Sequence, residues 1–151
     1  MIGTGRDRAE EVYRREGDRL WRSLLGFSGD REIADDAVAE AFAQLLRRGA
    51  EVVSPAAWVW KAAYRIAAGE LQRRDRFEPL ATDQVHRDPE TAWEVIDALR
   101  VLSFQQRAIV LLRDYAGHST RQTAAIIGST EASVRVQLSR ARRTLRRELT
   151  R

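Results

Sequence analysis

Residues 119–149 read STRQTAAIIGSTEASVRVQLSRARRTLRREL, and this stretch decides the fold. Ser119 and Gln122 have the spacing of a capping box, which predicts a short helix ending at Ile127. Gly128-Ser129-Thr130 then reads as a tight turn, because glycine takes the positive φ that a sharp reversal demands. A final long helix is predicted from about Glu131 to Leu149. At about 100° per residue, its Val134, Leu138, Ala141 and Leu145 fall on one stripe. Ala124, on the shorter helix, supplies the small side chain that a close helix crossing needs. Helix, sharp turn and second helix together make a helix-turn-helix.

The opposite face of the long helix carries Ala132, Arg135, Val136, Ser139, Arg140, Arg143, Arg146 and Arg147. In this layout the start of the second helix meets base edges in the DNA major groove. That end offers Thr130, Glu131, Ala132, Arg135, Val136 and Ser139. Arg135 has the donors for a bidentate contact to guanine, and Val136 suits a thymine methyl. Arg140, Arg143, Arg146 and Arg147 lie further along, where contacts to phosphate position a helix without specifying sequence. The plainer alternative is a helical hairpin with a solvated arginine face.

Outward from this motif, the helical period dominates the rest of the chain. A first helix is expected over residues 7–25, burying Tyr13, Leu20, Leu24 and Trp21 and ended by the stretch Gly26-Phe27-Ser28-Gly29. A second is expected over residues 31–48, with Asp30 as N-cap and Gly49 as stop. Its apolar face holds Ala34, Ala37, Val38, Ala41, Phe42, Leu45 and Leu46. Ser54-Pro55 opens a third, to about Arg74, burying Val59, Ala62, Ala63, Ile66 and Leu71. Trp60 and Tyr64, four apart, share a second strip of it. Residues 76–88 lose the period and read as a linker. Asp88-Pro89 repeats the cap-then-proline signal for a fourth helix through Leu102, and Ser103-x-x-Gln106 caps a fifth ending near residues 115–117. The expectation is an all-α chain of two helical domains, residues 1–75 and 90–151, joined by residues 76–89.

Composition narrows the function further. The 151 residues include no cysteine and only two histidines, His86 and His118, which excludes thiolate sites, cysteine nucleophiles and a His-rich metal centre. No uncharged run exceeds nine residues, far short of the ~20 apolar residues a membrane span needs. The N-terminus lacks a signal-peptide core, so a cytoplasmic protein is expected. Nothing resembles a nucleophile–base pair, a phosphate loop or a metal set, so neither enzymatic chemistry nor a cofactor is expected. The formal charge of +4 is modest, but it is unevenly distributed. Residues 121–151 carry eight arginines and two acids, a net +6. Residues 30–40 hold a net −4, and residues 61–76 a net +3. That pattern implies separate binding surfaces, at least one of them for a polyanion.

These features together resemble a compact bacterial sigma factor of the extracytoplasmic-function group. Ala34-Asp35-Asp36-Ala37-Val38-Ala39-Glu40-Ala41-Phe42 is similar to the A-E-D-x-x-Q-E-x-F stretch of that family's region two. Ser54-Pro55-Ala56-Ala57-Trp58-Val59 and Arg73-Arg74-Asp75-Arg76 resemble the proline, tryptophan and Arg-rich helix end with which region two continues. Residues 99–113 resemble the opening of region four, and Ser133–Leu145 is close to its T-V-R-S-R-L-x-R-A-R-x-x-L. The resemblance implies three contacts. Asp36, Glu40 and Gln44 would grip the clamp coiled coil of the largest subunit of RNA polymerase core. Trp60, Tyr64, Arg65, Arg73 and Arg74, with the loop before them, would face the minus-ten element. Thr130, Glu131, Ala132, Arg135, Val136, Ser139, Arg140 and Arg143 would read the minus-thirty-five element. The implied partners are polymerase core (clamp and flap), promoter DNA and, as a further candidate, an anti-sigma factor, with no membrane insertion.

The departures from the family fall in the third helix and the acidic motif. Arg65 and Gly69 stand where the family has Asn and Asp, and Ala39 where it has Gln. A glycine inside a helix costs ~1 kcal/mol against alanine, which weakens or kinks that helix. Two other readings therefore stay open. One is a sigma-like adaptor or decoy that binds polymerase or an anti-sigma factor without opening DNA. The other is a helix-turn-helix repressor.

Overall fold

The computed structural model describes residues 5–77 and 91–150, and all regular structure among them is helical. The helices are α1 (Gly5–Ser28), α2 (Arg31–Arg48), α3 (Pro55–Phe77), α4 (Trp93–Leu99), α5 (Phe104–Val110), α6 (Thr120–Ile127) and α7 (Glu131–Leu149). A 3-10 turn (Gly49–Glu51) follows α2, and a π turn (Leu111–Tyr115) closes α5. The all-α class is as expected.

Local chemistry sets the boundaries. Gly29, at φ 69°, reverses the chain after α1, and the Asp30 carboxylate then accepts from the Glu32 and Ile33 amides to open α2. Such a cap stabilises a helix by about 1 kcal/mol. The first helix thus runs through Gly26 and Phe27 rather than stopping before them. Both residues face inward, and their burial outweighs the low helix propensity of glycine. Helix α3 is continuous through Gly69, where an added Cβ would meet nothing.

The fourth helix is shorter than its sequence signals predict. It starts at Trp93, with no side-chain cap from Ala92, and ends at Leu99, because Ser103 must be extended to cap α5. The Asp88-Pro89 signal and most of the expected linker lie outside the described residues. Two expected core residues are exposed: Tyr13 at 59% and Leu46 at 50%. The ring of Tyr13 instead lies edge-on over Phe42, with centroids 5.1 Å apart.

Helices α1, α2 and α3 pack on one another around Leu20, Leu24, Ala34, Leu45 and Val59. Helices α5, α6 and α7 surround Ile109, Leu112, Thr123 and Val134. The two groups meet where α1 and α3 touch α4, α6 and the π turn. At that joint an added Cβ on Gly26 would come within 2.9 Å of the end of the Leu111 side chain, which would have to shift to admit it.

Candidate nucleic-acid interface

The helix-turn-helix forms as its sequence implies. Ser119 Oγ accepts from the Gln122 amide at 3.0 Å, and the Gln122 side chain accepts from the Ser119 amide at 2.8 Å. Gly128 adopts φ 69° and ψ 43°, and the Ser129 amide donates back to the Ala124 carbonyl at 2.9 Å. Thr130 Oγ1 caps the Ser133 amide at 3.1 Å. Ala124 lies buried at the crossing, with Val134, Leu138 and Ala141 of α7 turned inward. Two side-chain links then hold α7 to the preceding elements. Gln106 Nε2 donates to Gln137 Oε1 at 2.9 Å, and Arg142 pairs through two nitrogens with Asp114 of the π turn.

The outer face of α7 is left to solvent. Ala132, Arg135, Val136, Ser139, Arg140, Arg143, Arg146 and Arg147 are all exposed, as are Thr130 and Glu131 at its start. Among the described residues no carboxylate pairs with Arg135, Arg140, Arg143, Arg146 or Arg147. Arg142, outside the expected contact set, is the arginine of this helix spent on an internal ion pair. The face therefore presents unneutralised guanidinium groups beside one exposed branched apolar residue, Val136. That combination suits phosphate and groove contacts.

The residues expected to face the minus-ten element are divided. Arg65 is exposed on α3, as is Lys61, which was outside the expected set. Trp60 and Tyr64 are interior instead, at 0% and 3% exposure, which corrects the expectation of surface aromatic groups. Their rings stack with centroids 6.4 Å apart. Tyr64 shares a hydrogen bond with the Ser23 hydroxyl and packs on Phe27, and burial pushes its phenol well above the usual range. Trp60 is covered from the other side of the joint by His118, whose ring meets it edge-on at 4.4 Å. Arg73 and Arg74 both pair with Glu70, and Arg74 also pairs with the Asp30 carboxylate that caps α2. Part of the positive charge of α3 is therefore neutralised internally.

On α2, Asp36, Glu40 and Gln44 lie on the side away from the core. Gln44 donates to Glu40 at 3.0 Å and Arg47 donates to the same oxygen at 3.1 Å. These bonds hold the Glu40 carboxyl below its usual range. Asp36 makes no such pair among the described residues, and neighbouring Asp35 accepts from Trp21 Nε1 at 2.7 Å. The three residues thus form one polar ridge, with Asp36 the most available charge.

Two residues at the joint were not legible as such. Arg107 is 8% exposed and faces no carboxylate among the described residues; its guanidinium donates to the carbonyls of Leu99, Leu102 and Phe27 at 3.2, 3.2 and 2.9 Å. The only sequence signal was its place in the α5 register with Val110 and Leu111. His118 had none, because its neighbour Trp60 lies far away in the chain.

Comparison with known proteins agrees with this geometry. The family model described as sigma-70, region 4, matches residues 92–145. The RNA polymerase sigma-E factor of Streptomyces coelicolor is 30% identical, covering 93% of this chain and 85% of that protein. The ECF RNA polymerase sigma factor BldN of the same organism is 29% identical over 91% of this chain, which spans only 59% of BldN. In fold, the chain is similar to the sigma factor RpoE of Bartonella quintana, solved in complex with the anti-sigma factor NepR. The TM-score is 0.75 at 19% identity, over 93% of this chain and 98% of that one.

Proposed function

Because the chain belongs to the extracytoplasmic-function RNA polymerase sigma factors, we propose that it binds polymerase core and directs it to a specific set of promoters. In this reading α7 reads the minus-thirty-five element. Thr130, Glu131, Ala132, Arg135, Val136 and Ser139 address base edges, while Arg140 and Arg143 hold phosphate. The exposed side of α2, with Asp36, Glu40 and Gln44, docks on the clamp coiled coil of the largest polymerase subunit. Helix α3 and the loop before it serve the minus-ten element through Arg65, Arg73 and Arg74. Residues 1–75 and 90–151 act as the two functional units, and the flap of polymerase takes the second. The protein acts by binding, in the cytoplasm where polymerase works, and an anti-sigma factor is a further partner of the class that holds RpoE in its complex.

One observation carries this reading: α7 presents an exposed arginine face with no carboxylate partners among the described residues, on a helix whose opposite stripe is locked into a capped helix-turn-helix. The test is reconstitution with cognate core polymerase and mapping of transcripts from the gene's own upstream region. Specific initiation is the expected result. Core binding without transcripts would instead indicate an adaptor, and DNA binding with no affinity for core would indicate a repressor.

A further inference from the structure

Helix α7 is held by its buried stripe and by one polar link on each flank of that stripe. Val134, Leu138 and Ala141 pack inward, and Gln106, whose side chain completes the capping box of α5, donates to Gln137 at 2.9 Å. Further along, Arg142 donates to Asp114 of the π turn through Nε, at 3.0 Å, and through Nη2, so each carboxylate oxygen takes one N–H. At about 100° per residue, Gln137 and Arg142 fall roughly 70° to either side of the stripe. The apolar contacts keep α7 in place but are non-directional, and packed helices tolerate ~15–20° of variation in crossing angle. The two polar links supply the direction.

The carboxylate of Asp114 stands on a stiff support. The Ala116 amide ties the π turn back to the Leu111 carbonyl at 2.8 Å, and the His118 amide reaches the Leu112 carbonyl at 2.9 Å. Arg113 adds a bond to the His118 carbonyl at 2.8 Å, and Leu111 and Leu112 are buried beneath. On α7, Arg142 shares a flank with Arg135. Seven residues apart, they lie within about 20° in rotation and roughly 10 Å along the axis. A roll or tilt that releases Arg142 therefore moves Arg135 as well. Both side chains of the Asp114–Arg142 pair are partly open to solvent, and an ion pair so placed adds little to stability. Its consequence lies in geometry and charge.

We propose that Asp114 is a specificity-determining positioning residue: it fixes the pose in which α7 offers Arg135 and Val136 to base edges, and it withholds the Arg142 charge from DNA phosphate. The proposal rests on the reading of α7 as the groove-reading helix, and it names how that helix prefers its own site over other duplex. Base contacts need the pose, because a bidentate bond to guanine is directional. Phosphate contacts need only charge, so a freed Arg142 strengthens binding to any sequence. The two effects add. Without the pair, the cognate site loses its lead over mixed sequence.

The test titrates the full chain with duplex from the gene's own upstream region and with mixed-sequence duplex, over a range of salt. Circular dichroism and urea unfolding report the fold alongside. Two variants separate the roles: Asp114→Ala frees Arg142, and Arg142→Met breaks the pair without freeing a charge. Asp114→Ala is expected to bind mixed-sequence duplex about three- to tenfold more tightly, with a log–log salt slope steeper by about 0.9, the mark of one added phosphate contact. Arg142→Met should leave mixed-sequence binding within about twofold and weaken the upstream duplex about tenfold, as a misplaced base contact does. Asp114→Glu should keep the wild-type preference. Asp114→Ala with an unchanged salt slope overturns the proposal, and so does Arg142→Met with an unchanged preference. A wild type that favours neither duplex sinks the minus-thirty-five reading instead. The salt slope of Asp114→Ala then still decides whether Asp114 withholds Arg142, so the two failures are told apart.

Discussion

At the scale of single residues, the guanidinium groups divide by what they touch. Arg135 touches solvent and, in the proposed function, reads a base edge, so Arg135→Ala should weaken minus-thirty-five binding by roughly 1–3 kcal/mol, the value of one bidentate base contact. Core binding should not change, and titration of each ligand separately checks both. Arg107 touches three carbonyls, and of these the Leu99 carbonyl also accepts from the Leu102 amide. Arg107→Ala should therefore lower the stability measured by urea unfolding by about 2 kcal/mol or more, since each abandoned buried group costs roughly 1–3 kcal/mol. The chemistry of both side chains was in the sequence, but only burial separates them. His118 adds a pH dependence. Burial lowers its basicity first and the Arg19 charge second, against weaker opposing effects from Glu16 and Gln122. A base whose pKa falls on packing binds protons more readily when released. The packed joint is thus most stable above the ordinary value of 6.5 and loses stability as pH drops below it. The midpoint of urea unfolding should fall on acidification in the wild type and respond less in His118→Phe.

At the scale of elements, legibility followed distance along the chain. The ends of α2, α6 and α7 were readable because Asp30, Ser119, Gln122, Gly128 and Thr130 act within three or four residues of themselves. The start and end of α4 were not, because no side chain caps it and the extended Ser103 fixes where it stops. Tyr13 and Leu46 fit the helical period of a buried face yet lie at its edge, where period alone does not define how wide the apolar stripe is. Gly69 makes the point for α3. It weakens the helix in principle, yet the helix runs straight through it and its Cβ position is open. Gly69→Ala should accordingly raise stability by about 0.5–1 kcal/mol in thermal unfolding. Gly128→Ala should do the reverse by about 1 kcal/mol, because φ 69° is costly for any residue with a Cβ.

At the scale of the whole molecule, the modest net charge of +4 resolves into surfaces with different fates. The arginine face of α7 is open, the ridge on α2 is open, and α3 has its charges partly paired and the Trp60 ring covered by His118 and Arg19. Sequence periodicity placed all three on the right helices. It did not reveal that two helical groups close on one another, because the joint is made by residues remote in sequence: Arg19 with Ala116, Phe27 with Arg107 and Trp60 with His118. In the proposed function this chain and polymerase core together open a promoter. Permanganate footprinting of the upstream DNA reads that opening, since permanganate oxidises only unpaired thymines. Reactive thymines are expected near the minus-ten element with core and protein together, and none with either alone. Protection at minus thirty-five with no reactive thymine under any condition would contradict it.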